Sequence, residues 1–256
     1  MHYNAKDTTT VISASNYVAG KLNAIPMILG PGFATAIIPH ISEALSKKNY
    51  KLVKKNVLDS INVVLYVAIP VSFCIFAYAG PLNYTLYYSE NLELCTFVVQ
   101  WMALEGFLST LAPLVTNLMV SLELRKNLAI GVLIKGVLLI PFVWIMGIAG
   151  AVISSFIGTG YIIYKNLKEI QDVYNISYRK TLIIVVRILI GLLALWITSI
   201  LLSKVGLYGV EGSKLSCLFK MCLNGLLSVI VYVVVTLYLK VPQNIFHFQL
   251  RKKSGV

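Results

Sequence analysis

Residues 25–42 read IPMILGPGFATAIIPHIS. Three prolines (Pro26, Pro31, Pro39) and two glycines (Gly30, Gly32) break a run that is otherwise apolar. In water such a segment makes a poor helix, because each interior proline removes a backbone hydrogen bond and costs ~3 kcal/mol. Inside a bilayer, helix breakers are tolerated where the freed backbone groups meet protein or a water-filled cavity. The stretch therefore reads as a membrane-spanning helix with a built-in bend at Pro26 and Gly30–Pro31–Gly32.

Composition supports a membrane setting for the whole chain. Of its 256 residues, 58% are hydrophobic and only 12% are charged. Soluble domains carry roughly 25% charged residues, so this chain cannot clothe a water-facing surface. The mean hydropathy of +0.80 points the same way. The net charge of +12 comes from basic residues clustered in short gaps between apolar runs. That distribution suits loops lying against anionic lipid. No nucleic-acid-binding motif accompanies it, and no nucleic acid partner is expected. The four cysteines (Cys74, Cys95, Cys217, Cys222) form no CxxC pair and read as small buried hydrophobes. The N-terminal MHYNAKDTTT is polar and is followed by no signal-peptide pattern.

A helix crossing ~30 Å of hydrocarbon needs about 20 mostly apolar residues. Seven segments qualify, at about 11–39, 57–80, 94–122, 128–147, 149–165, 181–203 and 215–240. The expected fold is all-α, a polytopic bundle of seven transmembrane helices. The fourth and fifth spans, separated by GIAG, form a tight hairpin. The first and third are long for one crossing, which implies tilt, kinks or interfacial extensions.

Basic residues then set the orientation. Lys47, Lys48, Lys51, Lys54 and Lys55 follow the first span, and Arg125 and Lys126 the third. Lys165, Lys168, Arg179 and Lys180 lie between the fifth and sixth, and Lys240, Arg251, Lys252 and Lys253 follow the seventh. All fall on one side, against Lys6, Lys204 and Lys214 on the other. The positive-inside rule places the rich side in the cytoplasm, the N-terminus outside and the C-terminus inside. Such a chain is either one whose short N-terminal tail is exported or one that lacks an odd number of preceding spans.

The order of motifs is also informative. YVAGKLNAIPMILGPGFATAIIPHISEAL resembles the helix that opens the second half of many lipid-linked oligosaccharide flippases, ending in a Pro39–His40–Ile41–Ser42 turn before a basic amphipathic loop. VAIPVSFCIFAYAGPLNYTLY is similar to their next helix, with its proline and G-P-L. NLAIGVLIKGVLLIPFVWIMGIAGAVISSFIGTG is similar to a helix with a mid-membrane lysine, then G-I-x-G-A and a small-residue helix. The family is the multidrug/oligosaccharidyl-lipid/polysaccharide exporter superfamily. Its nearest branch is that of the bacterial polysaccharide biosynthesis proteins, which include stage V sporulation protein B and the MurJ-type lipid II flippases. The resemblance runs over about 11–240 and implies the C-terminal half of a fourteen-helix, two-lobed transporter. On that mapping, 1–165 holds five lobe helices, 166–240 two additional helices and 241–256 a basic cytoplasmic tail. A missing N-terminal lobe, encoded separately or lost, is then an expected partner, alongside membrane lipids and a lipid-linked oligosaccharide. Alone, the chain is expected to be inactive.

Ionisable groups inside spans are costly and suspect by default. Lys21 lies in the first span, and the resemblance implies a basic cavity residue there that meets the lipid pyrophosphate; the alternative is a lysine snorkelling to the interface. The bend Pro26, Gly30, Pro31, Gly32 would then belong to a gate helix. Lys135 sits deep in the fourth span. Some relatives build a sodium site with Asp and Asn here, but this chain has no acidic residue between Arg125 and Lys168. Lys135 is thus either a tethered cation surrogate or a snorkelling or carbonyl-bonded lysine. Glu105 is either a proton-coupling carboxylate or a structural partner of Lys135, Lys21 or another polar group. Arg187 and Lys220 read as snorkellers, and Asp59 and Asn62 as an interfacial helix contact. The glycine- and serine-rich fourth and fifth spans read as a packing seam, and tyrosines such as Tyr84, Tyr88 and Tyr161 as an aromatic belt.

No nucleophile–base pair or metal-ligand constellation stands out, the three histidines (His2, His40, His247) are scattered, and the outer loops are short. An enzyme is not expected, nor a cofactor. The leading reading is part of an alternating-access flippase for lipid-linked oligosaccharide or peptidoglycan precursor in the plasma membrane. The alternatives are a fragment of a cation-coupled drug antiporter and a non-transporting structural membrane subunit. In-span charge favours an anionic substrate, since Lys21, Lys135, Arg187 and Lys220 face a single deep acid, Glu105.

Overall fold

The computed structural model describes residues 5–87, 91–124, 128–208, 210 and 212–246. Of the residues weighed above, His2, Tyr88, Arg125, Lys126, His247, Arg251, Lys252 and Lys253 lie outside them. The described residues form helices α1 (Ala5–Ser13), α2 (Gly20–Ser46), α3 (Tyr50–Ala77), α4 (Ala79–Leu86), α5 (Leu92–Ser121), α6 (Leu128–Met146), α7 (Ile148–Tyr174), α8 (Arg179–Leu202), α9 (Lys214–Tyr238) and α10 (Val241–Phe246), with no strand. A π-helical stretch, Ala14–Ala19, joins α1 to α2. Seven helices are long and apolar enough to cross a membrane, as the sequence predicts.

Two sequence expectations need correction. Pro39–His40–Ile41–Ser42 is no turn, because α2 runs through all three of its prolines to Ser46. Burial of Ile41 and Ala44 in the core offsets the bond that Pro39 removes. Nor is there a long basic loop. The chain reverses at Lys47–Asn49, with Lys48 at φ 52°, and Asn49 caps α3 by accepting from Leu52 N at 3.2 Å. Lys51, Lys54 and Lys55 therefore belong to α3.

Each end of the bundle is tied by aromatic side chains. At one end the rings of Tyr50 and Tyr174 stand 6.4 Å apart, and Tyr174 Oη donates to Leu122 O at 3.2 Å. At the other, Tyr84 Oη donates to Gly212 O at 2.7 Å and Tyr208 Oη to Ala77 O at 3.4 Å. Between them, α2, α3, α5, α7 and α8 bury a core around Ile41, Val57, Leu114, Leu118, Ile170 and Ile188.

The last two long helices pair with each other and dock on α3 and α4. Gly191 lets α9 approach α8, since an added Cβ would lie 2.8 Å from Thr236 Cγ2 and 3.0 Å from the Tyr232 ring. Docking on α3 uses a carbonyl freed by a proline. Pro70 lacks the N–H that would pair with Tyr66 O, and Tyr232 Oη donates to that oxygen at 3.3 Å. The two tyrosine rings stack with centroids 5.9 Å apart, and Tyr66 Oη meets Thr236 Oγ1 at 3.1 Å. A second polar knot joins Tyr78 Oη to Asn224 Oδ1 (2.9 Å) and Ser228 Oγ (3.2 Å). Tyr232→Phe is expected to destabilise the chain by about 1 kcal/mol, since it strands a buried carbonyl. In Pro70→Ala that carbonyl regains its helix partner, so the same substitution should cost much less. Thermal unfolding of the four-member mutant cycle checks this, and equal costs in both backgrounds would remove the proline from the account.

The Arg187 guanidinium donates to Leu239 O at 3.1 Å and so satisfies a carbonyl at the C-terminal end of α9.

Candidate functional site

Helix α2 has two unlike sides. Leu22, Asn23 and Pro26 are buried, whereas Lys21, Ile25, Ile28, Gly32 and Thr35 are all exposed. The exposed set recurs at helical spacing and forms one stripe. Lys21 stands at one end of that stripe, and Gly32 has open space where a side chain would be. Pro31 is exposed as well, while Pro26 is packed inside. Gly30 lies in the same continuous helix. The departure from α-helical geometry falls upstream of the prolines, in the π-helical Ala14–Ala19, which ends at Gly20. A π-turn leaves backbone groups loosely paired and is common at functional positions.

Glu105 is half-buried on α5, and the Ser155 hydroxyl of α7 donates to its carboxylate oxygen Oε1. Among the described residues it forms no ion pair with Lys21 or Lys135, so of the structural roles weighed for it the neutral polar contact is the one present. Ser155 was read from the sequence only as a seam residue, and nothing in its spacing marks it as a partner for an acid fifty positions away.

Lys135 is exposed on α6, which packs chiefly against α7. An added Cβ on Gly158 would lie 2.7 Å from Lys135 Cβ and 2.8 Å from Gly131 O. The lysine therefore leaves the hairpin at the edge of its seam, with its backbone locked against glycine. Gly147 alone turns the chain between the two helices, with φ 61° and ψ −133°, a conformation that favours glycine. The glycine-rich spans are thus the packing seam that the sequence implies.

The structure does not gather Lys21, Glu105 and Lys135 into one hydrogen-bonded cluster. Lys21 and Lys135 stand on surfaces that the described helices leave uncovered, and Glu105 is inside the bundle. Among the described residues, no group of three or more His, Cys, Asp and Glu side chains is placed to hold a metal ion. The four cysteines are free.

No family model matches the chain. It is 29% identical over 179 residues to lipid II flippase MurJ of Bacillus subtilis (strain 168), covering 65% of this chain and 32% of that protein. It is 32% identical over 76 residues to sporulation protein YkvU of the same organism, covering 30% of this chain and 17% of that protein. The chain thus spans about a third or less of the length of these relatives. Seven apolar helices and this similarity make it a multi-pass membrane protein related to the flippase-like proteins of the multidrug/oligosaccharidyl-lipid/polysaccharide exporter superfamily.

Proposed function

We propose that this chain supplies one lobe of an alternating-access flippase for a lipid-linked, pyrophosphoryl oligosaccharide or peptidoglycan precursor. The similarity to lipid II flippase MurJ over 65% of the chain carries the reading. The exposed stripe of α2 supports it, because Gly32 and Thr35 are poor lipid-facing residues and suit a cavity or a second lobe. Lys21 is the residue placed to attract the pyrophosphate, as a point charge rather than a bidentate fork. The stretch Pro26–Gly32 is the bend of a gate helix. Lys135, on the other uncovered helix, is a second cavity charge, and Glu105 a protonatable group within the lobe. The end that carries Tyr50 and Tyr174 is cytoplasmic, with the lysines of α3 beside it, and the N-terminus lies outside. The bundle of α1–α7 forms the lobe proper, and α8 and α9 are an added pair.

Transport requires the other lobe. Co-reconstitution of this chain with the N-terminal seven spans of its flippase relative is expected to translocate a fluorescent lipid II analogue across vesicle membranes. Vesicles holding either part alone should stay at background. Background rates from a complex shown to assemble by gel filtration would reject the proposal.

A further inference from the structure

Helices α7 and α8 are consecutive yet make little contact with each other, since α7 packs on α5 and α6, and α8 on α3 and α9. The link between them holds this gap. Asn175 ends α7 in the left-handed region, Ile176 is buried in the core, and Tyr178 Oη donates back to Leu167 O at 3.2 Å. Between the two helices lies a cleft of about 410 Å³, with Ile61 and Leu65 of α3 in its floor. Along α7 its lining changes from Asp172 and Lys168 to Leu167, and along α8 from Thr181 to Val185. The cleft is therefore polar at its mouth, towards the end of the bundle that carries Tyr174, and apolar within.

The mouth holds polar groups of both signs. Thr181 is 6% exposed, and its Oγ1 has no hydrogen-bond partner among the described residues. No side chain caps the N-terminus of α8, whose first helical bond runs from Leu182 N to Tyr178 O at 2.9 Å. The N–H groups of Arg179, Lys180 and Thr181 are thus left to receive an anion beside that hydroxyl. Lys168 and Asp172, one turn apart on α7, are exposed and form no ion pair with each other among the described residues. Lys165 and Glu169 adjoin them in a neighbouring hollow, and their opposite charges balance. A ligand that matches this lining has an apolar chain, a phosphate and, about a helical turn away, a positive group. A primary ammonium donates to a carboxylate, whereas the trimethylammonium of choline has no N–H to give. We propose that the cleft between α7 and α8 binds one aminophospholipid, with a chain over Ile61 and Leu65, its phosphate between Lys168 and the N-terminus of α8, and its ammonium on Asp172. The site belongs to this chain alone and does not rest on the flippase reading.

The test is native mass spectrometry of the purified full chain with equimolar phosphatidylethanolamine, phosphatidylglycerol and phosphatidylcholine of matched chains. The first lipid adduct is expected to be phosphatidylethanolamine, at about five times the abundance of either other lipid. Asp172→Asn should bring phosphatidylglycerol level with phosphatidylethanolamine and leave total binding in place, a change that impaired folding does not mimic. Lys168→Gln should lower the first adduct about fivefold. Lys51→Gln, at the same end of the bundle but outside the cleft, should leave it unchanged. Val185→Trp fills the cleft and should remove the selective adduct. Four outcomes would overturn the proposal: no preference for phosphatidylethanolamine in the parent chain; a preference that survives Asp172→Asn; one that survives Val185→Trp; or equal losses in Lys168→Gln and Lys51→Gln, which leaves only general attraction between lysines and lipid phosphate.

Discussion

Gly150→Leu is expected to lower Tm by roughly 6–12 °C, the largest stability effect of any single substitution considered for this chain. At Gly150 an added Cβ would overlap the carbonyl of Phe142, a backbone group that no rotamer change moves aside. Overpacking a tight site costs about 1–3 kcal/mol, and a clash with backbone belongs at the upper end. Little else anchors α6, which packs chiefly on α7 and leaves most of its other side chains exposed. Gly136→Leu is the control. That glycine lies on the same helix system with nothing within 4 Å of its added Cβ, so the same leucine should leave Tm within about 1 °C. Thermal unfolding followed by fluorescence-detected gel filtration measures both. Similar losses from the two variants would mean that leucine is tolerated poorly for reasons other than the seam.

That contrast shows how far sequence reasoning reached. Span number, the α6–α7 hairpin and the glycine seam follow from apolar run length and the spacing of small residues, which are local properties. The seam glycines are not equal, however. Gly131, Gly150 and Gly158 are packed against the facing helix, whereas Gly136 and Gly160 meet open space, and spacing alone does not separate them. The Pro39 turn and the basic loop failed for a related reason. The resemblance implied a break at Pro39, and burial of Ile41 and Ala44 keeps the helix running.

Polar contacts between helices were the least legible. Tyr66, Tyr78 and Tyr232 carry the docking of α9, yet none of them is marked in the sequence except through Pro70, which frees the carbonyl four residues before it. A proline inside a span is thus a usable signal, since it announces a carbonyl that needs a donor from elsewhere. Pro26 announces Leu22 O in the same way. Glu105 was visible as a lone acid, but its choice of Ser155 over a lysine depended on the rotation of α5 against α7. No periodicity within either helix fixes that rotation.

In the two-lobed assembly, Lys21→Glu is expected to reduce transport of the lipid II analogue by a hundredfold or more. An ammonium about 4 Å from a phosphate oxygen in a half-solvated site gains on the order of 4 kcal/mol, and reversing the charge turns that attraction into repulsion. Lys21→Gln, which removes the charge without reversing it, should cost roughly tenfold. Lys21→Arg keeps the charge and offers a fork suited to phosphate, so it should stay within about threefold of the parent. Stability separates this account from a packing effect. Lys21 is exposed on α2, so all three variants should unfold within about 1–2 °C of the parent. The competing account is a lysine that snorkels to the interface and never meets substrate. It predicts near-normal transport for Lys21→Gln and Lys21→Glu alike, because either polar end can reach the interfacial water. A graded series of Arg, Gln and Glu at unchanged Tm therefore assigns the charge to the substrate path, and a flat series assigns it to the membrane surface.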